Sequence, residues 1–473
     1  MATDFPIADW HPRLADDAPG HRSDTPPQCP ARVANPSDRL GFFLFLLLTG
    51  NLFLRPLELI PALRAIRIHE ILTAACLILM FPAILRQMTW RSLKRRPVTL
   101  LVIGFVLTAV LSNLWHGDLA GVKAALVEMS PSFLYFLFLL IGVDSFVRLR
   151  TFILVIIVCI AIVSALSLLQ FKGLVDLHSD DYGISAVHRD SVSDSGEVQH
   201  IRQLQAWGIF SDPNDFSILL VTVILLSMMF LARAGWAARP FWVFLIAMLL
   251  YTFALTLSRG GFLSLLSGLG VVIVLRFGWR RAIVVGSVVL PLVLILFAGR
   301  QTSINIRNQD DTAYRRVELW QQGIEMFKAH PLLGVGYAKF EDEVGLVAHN
   351  SYVHCYAELG FIGGTMFSGA VGLIIVCLNK LRREASLNGE GDIRSWILWM
   401  CGIMIAYSVG IFSVSRAYSN YTFLLFGIVT CFVTIGQTRL NLVEGFTIRL
   451  ATKIIALSAV WLLLIRIFIA VIL

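Results

Sequence analysis

The chain has 473 residues, 57% of them hydrophobic and 15% charged, with a formal net charge of +8 and a mean hydropathy of +0.75. A water-soluble domain needs more polar surface than this, and a closed β-barrel would show a period-two alternation that appears nowhere, so composition leaves a polytopic helical membrane protein. The basic excess sits in short connections between apolar runs, where it sets topology and meets anionic lipid, which removes the argument for nucleic acid.

Residues 1–38 are polar, with Pro26, Pro27, Pro30 and Pro36; they are too polar for a signal peptide and read as a disordered cytoplasmic tail. Residues 39–473 read as one transmembrane domain, an all-α bundle of about 12–13 spans. Apolar cores fall near 40–60, 68–86, 98–115, 127–146, 150–170, 211–232, 241–257, 260–276, 282–298, 352–378, 395–414, 419–436 and 450–472. Of the seven cysteines, Cys29 lies in the tail, Cys355 in a polar stretch and five inside apolar runs. No pair has metal-ligand spacing, and no disulfide framework is expected.

Every second connection is basic: Arg86 to Arg96, Arg148 and Arg150, Arg233 and Arg239, Arg276 to Arg281, and Lys380 to Arg383. These are expected to be cytoplasmic, as is the N-terminus. The same alternation puts two longer loops outside, at 171–207 and 299–350, where function is expected to gather.

The first of these loops is acidic and ends in Arg202, followed by Gly208-Ile209-Phe210-Ser211-Asp212-Pro213-Asn214-Asp215-Phe216. Ser211 or Asp212 suits the N-cap of the sixth span, with Pro213 in its first turn. A functional reading sets Asn214 and Asp215 against a polar cavity at the outer interface. Ser258-Arg259-Gly260-Gly261 joins two spans with almost no loop on the outer side, where a lone arginine gains nothing from the positive-inside bias. Arg259 either snorkels to headgroups or binds a phosphate as a permanently charged fork.

In the second loop, Thr312 to His330 reads as an amphipathic helix with Val317, Trp320, Ile324 and Phe327 on one face and Pro331 at its end. Arg315 and Arg316 lie in its first turns, against the macrodipole preference, which hints at an external anion. Trp320 suits packing better than a sugar platform. Gly334-Val335-Gly336 is too short for a phosphate loop and reads as a turn. His349-Asn350 then opens the tenth span, with His354 and Glu358 at helical spacing from Asn350. A neutral imidazole at His349 suits a general base for a hydroxyl nucleophile, although an interface histidine is the plainer reading. No metal-ligand cluster is apparent.

These motifs resemble the O-antigen ligase and polymerase family of bacterial inner membranes. The resemblance rests on Gly208 to Phe216, on Ser258 to Gly261 and on Arg315 to Gly364, which carries an Arg and Trp on a loop helix, His-Pro, Gly-x-Gly, His-Asn and a helix with Glu-x-Gly. Arg55-Pro56-Leu57-Glu58 also looks like relatives linked to exopolysaccharide production. The resemblance implies a glycosyltransferase of the all-helical C type, with a periplasmic site in the inner membrane, needing no metal, nucleotide sugar or cofactor. It would take glycan from an undecaprenyl-diphosphate carrier and pass it to a glycan or lipid A core acceptor, with a flippase and a chain-length regulator as candidate partners. Carried over by motif, Arg259 and one of Arg315 or Arg316 would bind the donor diphosphate, and His349 would deprotonate the acceptor hydroxyl. Asn350, Asn214, Asp215, Arg202 and Glu358 would support them, and Arg300 and Arg307 are further loop arginines available to the diphosphate.

The competing reading is a transporter of an anion or a lipid-linked sugar, which predicts broken helices meeting at mid-membrane and charges deep in the bundle. A membrane scaffold without chemistry would leave the arginines and histidines unexplained.

Overall fold

The computed structural model describes residues 36–56, 67–175, 186–192, 198–206, 212–296, 312–442 and 445–472. The tail assigned to 1–38 lies almost wholly outside the described residues, as do Trp207 to Ser211, Arg300 and Arg307. In chain order the helices are α1 (Pro36–Leu54), α2 (Ile68–Gln87), α3 (Trp90–Lys94), α4 (Pro97–Trp115), α5 (Leu119–Gly142) and α6 (Phe146–Phe171). A two-stranded antiparallel hairpin follows, β1 (Ala186–Val192) against β2 (Val198–Leu204), with His188 opposite Arg202. Then come α7 (Pro213–Leu231), α8 (Arg239–Leu255), α9 (Arg259–Phe277), α10 (Trp279–Leu296), the loop helices α11 (Thr312–Ala329) and α12 (Lys339–Val344), and α13 (Ser351–Leu387), α14 (Gly391–Gly410), α15 (Asn420–Arg439) and α16 (Ile448–Ile472).

The protein is an all-α, multi-pass membrane bundle. Among the described residues ten helices are long and apolar enough to cross a membrane, and α8 is a shorter apolar helix of 17 residues. Each of the thirteen apolar segments seen in the sequence forms a helix, α1 and α10 completing the set. Helix α7 is central: 83% of its most apolar stretch is buried inside the protein, against 17% for α2 and 22% for α16, which face outward. A helix apolar on all sides belongs in such a position.

In a bilayer, helices gain little by burying apolar surface against each other, so close backbone approach and interhelical hydrogen bonds hold them. The seam between α9 and α14 has this form. Ser264 and Gly268, four residues apart on α9, meet Gly402 and Ala406 on α14. A Cβ on Gly268 would lie 3.0 Å from Gly402 O, and one on Gly402 would lie 2.6 Å from Val272 Cγ2. Ser264 Oγ donates to Ala406 O at 2.7 Å. The seam fixes the start of α9, with Arg259, against the end of α14 and the 411–419 connection.

Candidate active site

The polar residues of α7, α9, α13 and the 411–419 connection meet at one end of the bundle. Helix α13 is interrupted there. Gly360 departs from helical geometry at φ 63°, ψ −161°, and the chain from Pro331 to Gly336 is threaded into the break. Val335 N–H and Gly336 N–H donate to Ala357 O and Glu358 O at 3.1 and 3.0 Å, while Phe361 N–H and Ile362 N–H donate to Pro331 O and Leu332 O at 2.8 and 3.2 Å. Ser112 Oγ lies 2.5 Å from Leu333 O and 2.9 Å from Glu358 O, so α4 shares one hydroxyl proton between both sides of the break. His116 Nε2 adds a contact of 2.8 Å to Gly334 O. The break therefore leaves few backbone groups unpaired, which is what an interrupted helix in a membrane requires.

The Gly-x-Gly pair serves this docking. Gly334 has φ +71°, and a Cβ on it would lie 2.2 Å from the backbone carbon of Glu358. Gly360, at φ +63°, is its counterpart: a Cβ there would lie 2.4 Å from the Leu332 backbone. Both obstacles are backbone, so neither can swing aside. Gly334→Ala is expected to lose more than about 2 kcal/mol, from the disfavoured φ and the undocked segment together. Thermal unfolding in detergent measures it, and a melting point unchanged from wild type would show the docking to be loose.

His349 lies between two anchors. On one side Trp320 Nε1 donates to Ala348 O at 3.0 Å, tying α11 to the chain just before it. On the other, Asn350 is fully buried and caps α13, its Oδ1 accepting from Tyr352 N and Val353 N at 3.0 and 3.3 Å. Ser351 N–H donates to Ile411 O at 2.9 Å, Ser351 Oγ donates to Val414 O at 2.7 Å, and the Arg416 N–H donates to Ser351 Oγ at 3.0 Å. His349 itself is half-buried, with φ +49°, a conformation that non-glycine residues seldom take. Such a backbone persists only where its surroundings impose it.

Helix α7 begins as its sequence implies, with Asp212 Oδ1 accepting from Asn214 N–H at 2.7 Å and Pro213 at the first helical position. Asn214 Oδ1 accepts from Ser258 Oγ at 2.9 Å, and the same hydroxyl caps α9 through Gly261 N–H at 3.1 Å. Cβ atoms on Gly260 and Gly261 would fall 2.0 Å from Ser413 Oγ and 2.3 Å from Ser217 Oγ. The starts of α7 and α9 and the 411–419 connection are thus in direct contact, with Arg259 half-buried at their junction.

Asp215, 8% exposed, pairs with Arg416, whose Nε lies 2.6 Å from Asp215 Oδ2 and whose Nη2 contacts the same oxygen. The Arg416 side chain is 47% exposed. One edge of its guanidinium is anchored, and the rest opens on a cavity of about 340 Å³ whose polar walls include Glu128, Ser132, Tyr337 and Tyr418. Tyr337 donates to Glu128 Oε2 at 3.0 Å, and Ser132 Oγ donates to Asn420 Oδ1 at 2.7 Å. Burial, reinforced by the Glu128 carboxylate, pushes the Tyr337 phenol well above its ordinary range, so it stays a donor. Tyr418 is raised too, by burial first and by Glu358 next.

Glu358 is 1% exposed and fully engaged. Its Oε1 accepts from Phe340 N–H at 3.1 Å, and its Oε2 accepts from Tyr418 Oη at 2.8 Å and lies 3.2 Å from His354 Nε2. His354 stacks on Phe340 with ring centroids 5.4 Å apart. This network pins α12 and Tyr418 to α13, and Tyr418 links Glu358 and His354 to the cavity wall.

Of the residues singled out in the sequence, Asp215 lines the cavity directly. His349 is linked to it through Asn350, Ser351 and Arg416, and Arg259 through Gly260 and Ser413. Arg316 is half-buried and Arg315 exposed on α11, whose Val317 and Ile324 are buried as its amphipathic pattern implies. Arg202 is not brought to the cavity: it is exposed on β2, its guanidinium 4.3 Å from the Phe171 ring centroid. Among the described residues no group of three His, Cys, Asp or Glu could hold a metal ion. Arg416, Glu128, Tyr337 and Tyr418 were not singled out. Arg416 carried a usable signal, because it is a lone arginine in a short connection that the alternation of basic loops predicts to be outer, the same ground on which Arg259 stands out.

Residues 243–368 match the model of a family described as O-antigen ligase. A curated relative, the exopolysaccharide production protein ExoQ of Rhizobium meliloti (strain 1021), is 24% identical over 170 residues, covering 32% of this chain and 38% of that protein. The match therefore spans well under half of the relative's length. The stretch matched by the family model holds Arg259, Arg315, Arg316, His349, Asn350, Glu358 and both sides of the Gly360 break, and over it the chain is similar to the O-antigen ligase family.

Proposed function

We propose that the protein is an inner-membrane glycosyltransferase that transfers or polymerises undecaprenyl-diphosphate-linked glycan at the periplasmic face, in exopolysaccharide or O-antigen assembly. The observation that carries this reading is the Arg416–Asp215 pair, which presents a fixed, half-exposed cation to a polar cavity beside the 349–351 backbone. A departing diphosphate needs preorganised positive charge, and an arginine held by a buried carboxylate supplies it without reorganisation. The name of the relative, an exopolysaccharide production protein, supports the polymerase over the ligase. The arginine-rich connections at the opposite end of the bundle support the periplasmic side.

In this mechanism His349 accepts the proton of an acceptor sugar hydroxyl as its oxygen attacks the anomeric carbon. The bond from that carbon to the diphosphate oxygen breaks, and the polyprenyl diphosphate leaves as an anion held by Arg259 and Arg416, with Arg315 and Arg316 on α11 as further cations. Direct attack inverts the anomeric centre. Glu128, Ser132 and Tyr337 offer hydrogen-bonding partners to sugar hydroxyls.

Transport has one observation in its favour, the broken helix α13. That break is filled by the backbone of residues 331–336, which consumes the groups that would otherwise coordinate an ion or substrate. Chemistry at the outer end is the better reading.

The test is reconstitution of the purified chain with undecaprenyl-diphosphate-linked repeat units from its host. A ladder of longer lipid-linked glycans is expected, and Arg259→Ala is expected to cut transfer by about 10²-fold or more, the worth of one charge-stabilising donor. Transfer only after lipid A core is added would make the enzyme a ligase. Intact donor with no transfer to either acceptor would overturn the reading in favour of transport.

A further inference from the structure

At the end of the bundle away from the candidate active site, the start of α6, the end of α7, the start of α8, the start of α14 and the end of α15 enclose a second cavity of about 620 Å³. Its polar side is basic. Arg233 Nη2 pairs with Asp392 Oδ1 at 2.8 Å, and Arg439 Nη2 pairs with Glu390 Oε2 at 2.9 Å. Arg150 is the third guanidinium on the wall; it is exposed, lies 5.9 Å from the Phe230 ring centroid and makes no ion pair among the described residues. Three cations therefore face two carboxylates, and the surplus charge sits on Arg150.

The other side is apolar and aromatic. Phe230 and Trp242 stack with ring centroids 5.1 Å apart at 13°, and Trp396 meets Phe230 edge-on at 6.3 Å. Leu154 and Met229 continue this wall toward the middle of α6 and α7, and Val147 stands 75% exposed at the rim. Tryptophans and arginines at helix ends mark the membrane–water boundary, so the cavity joins a headgroup-level cation to an acyl-level apolar surface. A free anion would use only the first of these features, and a neutral lipid only the second.

We propose that this cavity binds one acidic glycerophospholipid of the leaflet on the arginine-rich side. Arg150 holds the headgroup phosphate, and the Phe230–Trp242 face receives the first carbons of an acyl chain. The site is separate from the cavity that takes glycan and does not depend on that reaction.

The experiment is native mass spectrometry of the full chain in detergent, titrated with phosphatidylglycerol or with phosphatidylcholine of the same acyl chains. Phosphatidylglycerol is expected to be retained preferentially. Arg150→Gln is expected to weaken its retention about fivefold, the worth of one arginine at an anionic headgroup. Trp242→Ala is expected to weaken both lipids. Arg150 is exposed, so its replacement should leave thermal unfolding unchanged, and Arg383→Gln, an exposed arginine outside the cavity, serves as the control. Equal retention of the two lipids, displacement by an equal concentration of inorganic phosphate, or a loss in Arg383→Gln as large as in Arg150→Gln would each overturn the proposal.

Discussion

His349→Asn is expected to lower glycan transfer by about 10²–10⁴-fold, the usual contribution of a positioned general base, while leaving the bundle as stable as the wild type. The choice of asparagine follows from the backbone. His349 has φ +49°, a region asparagine enters more readily than most residues because its short polar side chain bonds locally. Asparagine therefore keeps the conformation that Trp320 and Ser351 impose and removes the imidazole that would accept the proton. His349→Ala changes two things at once, since alanine also bears the steric cost of that backbone, about 1–2 kcal/mol. Its melting point should fall below that of His349→Asn with no greater loss of transfer. Transfer by His349→Asn at more than about a tenth of the wild-type rate would assign His349 to the backbone turn and leave the base to be found elsewhere.

Local patterns in the sequence carried most of the fold. Apolar runs long enough to span a bilayer became the helices, Asp212 and Asn350 capped the helices they precede, and α11 took the boundaries and buried face that Val317 and Ile324 imply. Each of these depends on residues within a few positions of one another. The site depends on pairs far apart in the chain. Gly334 and Gly360 look like ordinary turn and helix glycines until the 331–336 segment is seen inside α13, and no local spacing reports a backbone contact of that kind. Arg416 is a lone charge until it meets Asp215, 201 residues earlier. Glu358 shares a helix face with His354, as its spacing implies. What spacing could not say is that Tyr418 and Phe340 from elsewhere in the chain would consume its remaining lone pairs. Topological sign is the signal that reaches furthest, because a lone arginine in a short connection predicted to be outer selects Arg259 and Arg416 alike.

The Asp215–Arg416 pair separates structure from chemistry, because its two members differ in exposure. Arg416→Ala leaves a carboxylate that is 8% exposed without its cation and is expected to cost about 3–5 kcal/mol. Asp215→Asn leaves a guanidinium whose side chain is 47% exposed and within reach of water, so its stability cost is expected to be smaller, about 1 kcal/mol. The double variant removes both charges and should recover most of what Arg416→Ala lost, a coupling that thermal unfolding of the four proteins measures directly. Transfer should not follow the same order. Arg416→Ala and the double variant should both lose about 10²–10³-fold, because neither presents a cation to the departing diphosphate. Asp215→Asn should lose less, since the guanidinium remains but is held less firmly. A double variant that regains stability and transfers glycan at the wild-type rate would reduce the pair to a structural tie between α7 and the 411–419 connection. A double variant that is stable and inactive puts the charge of Arg416 in the reaction.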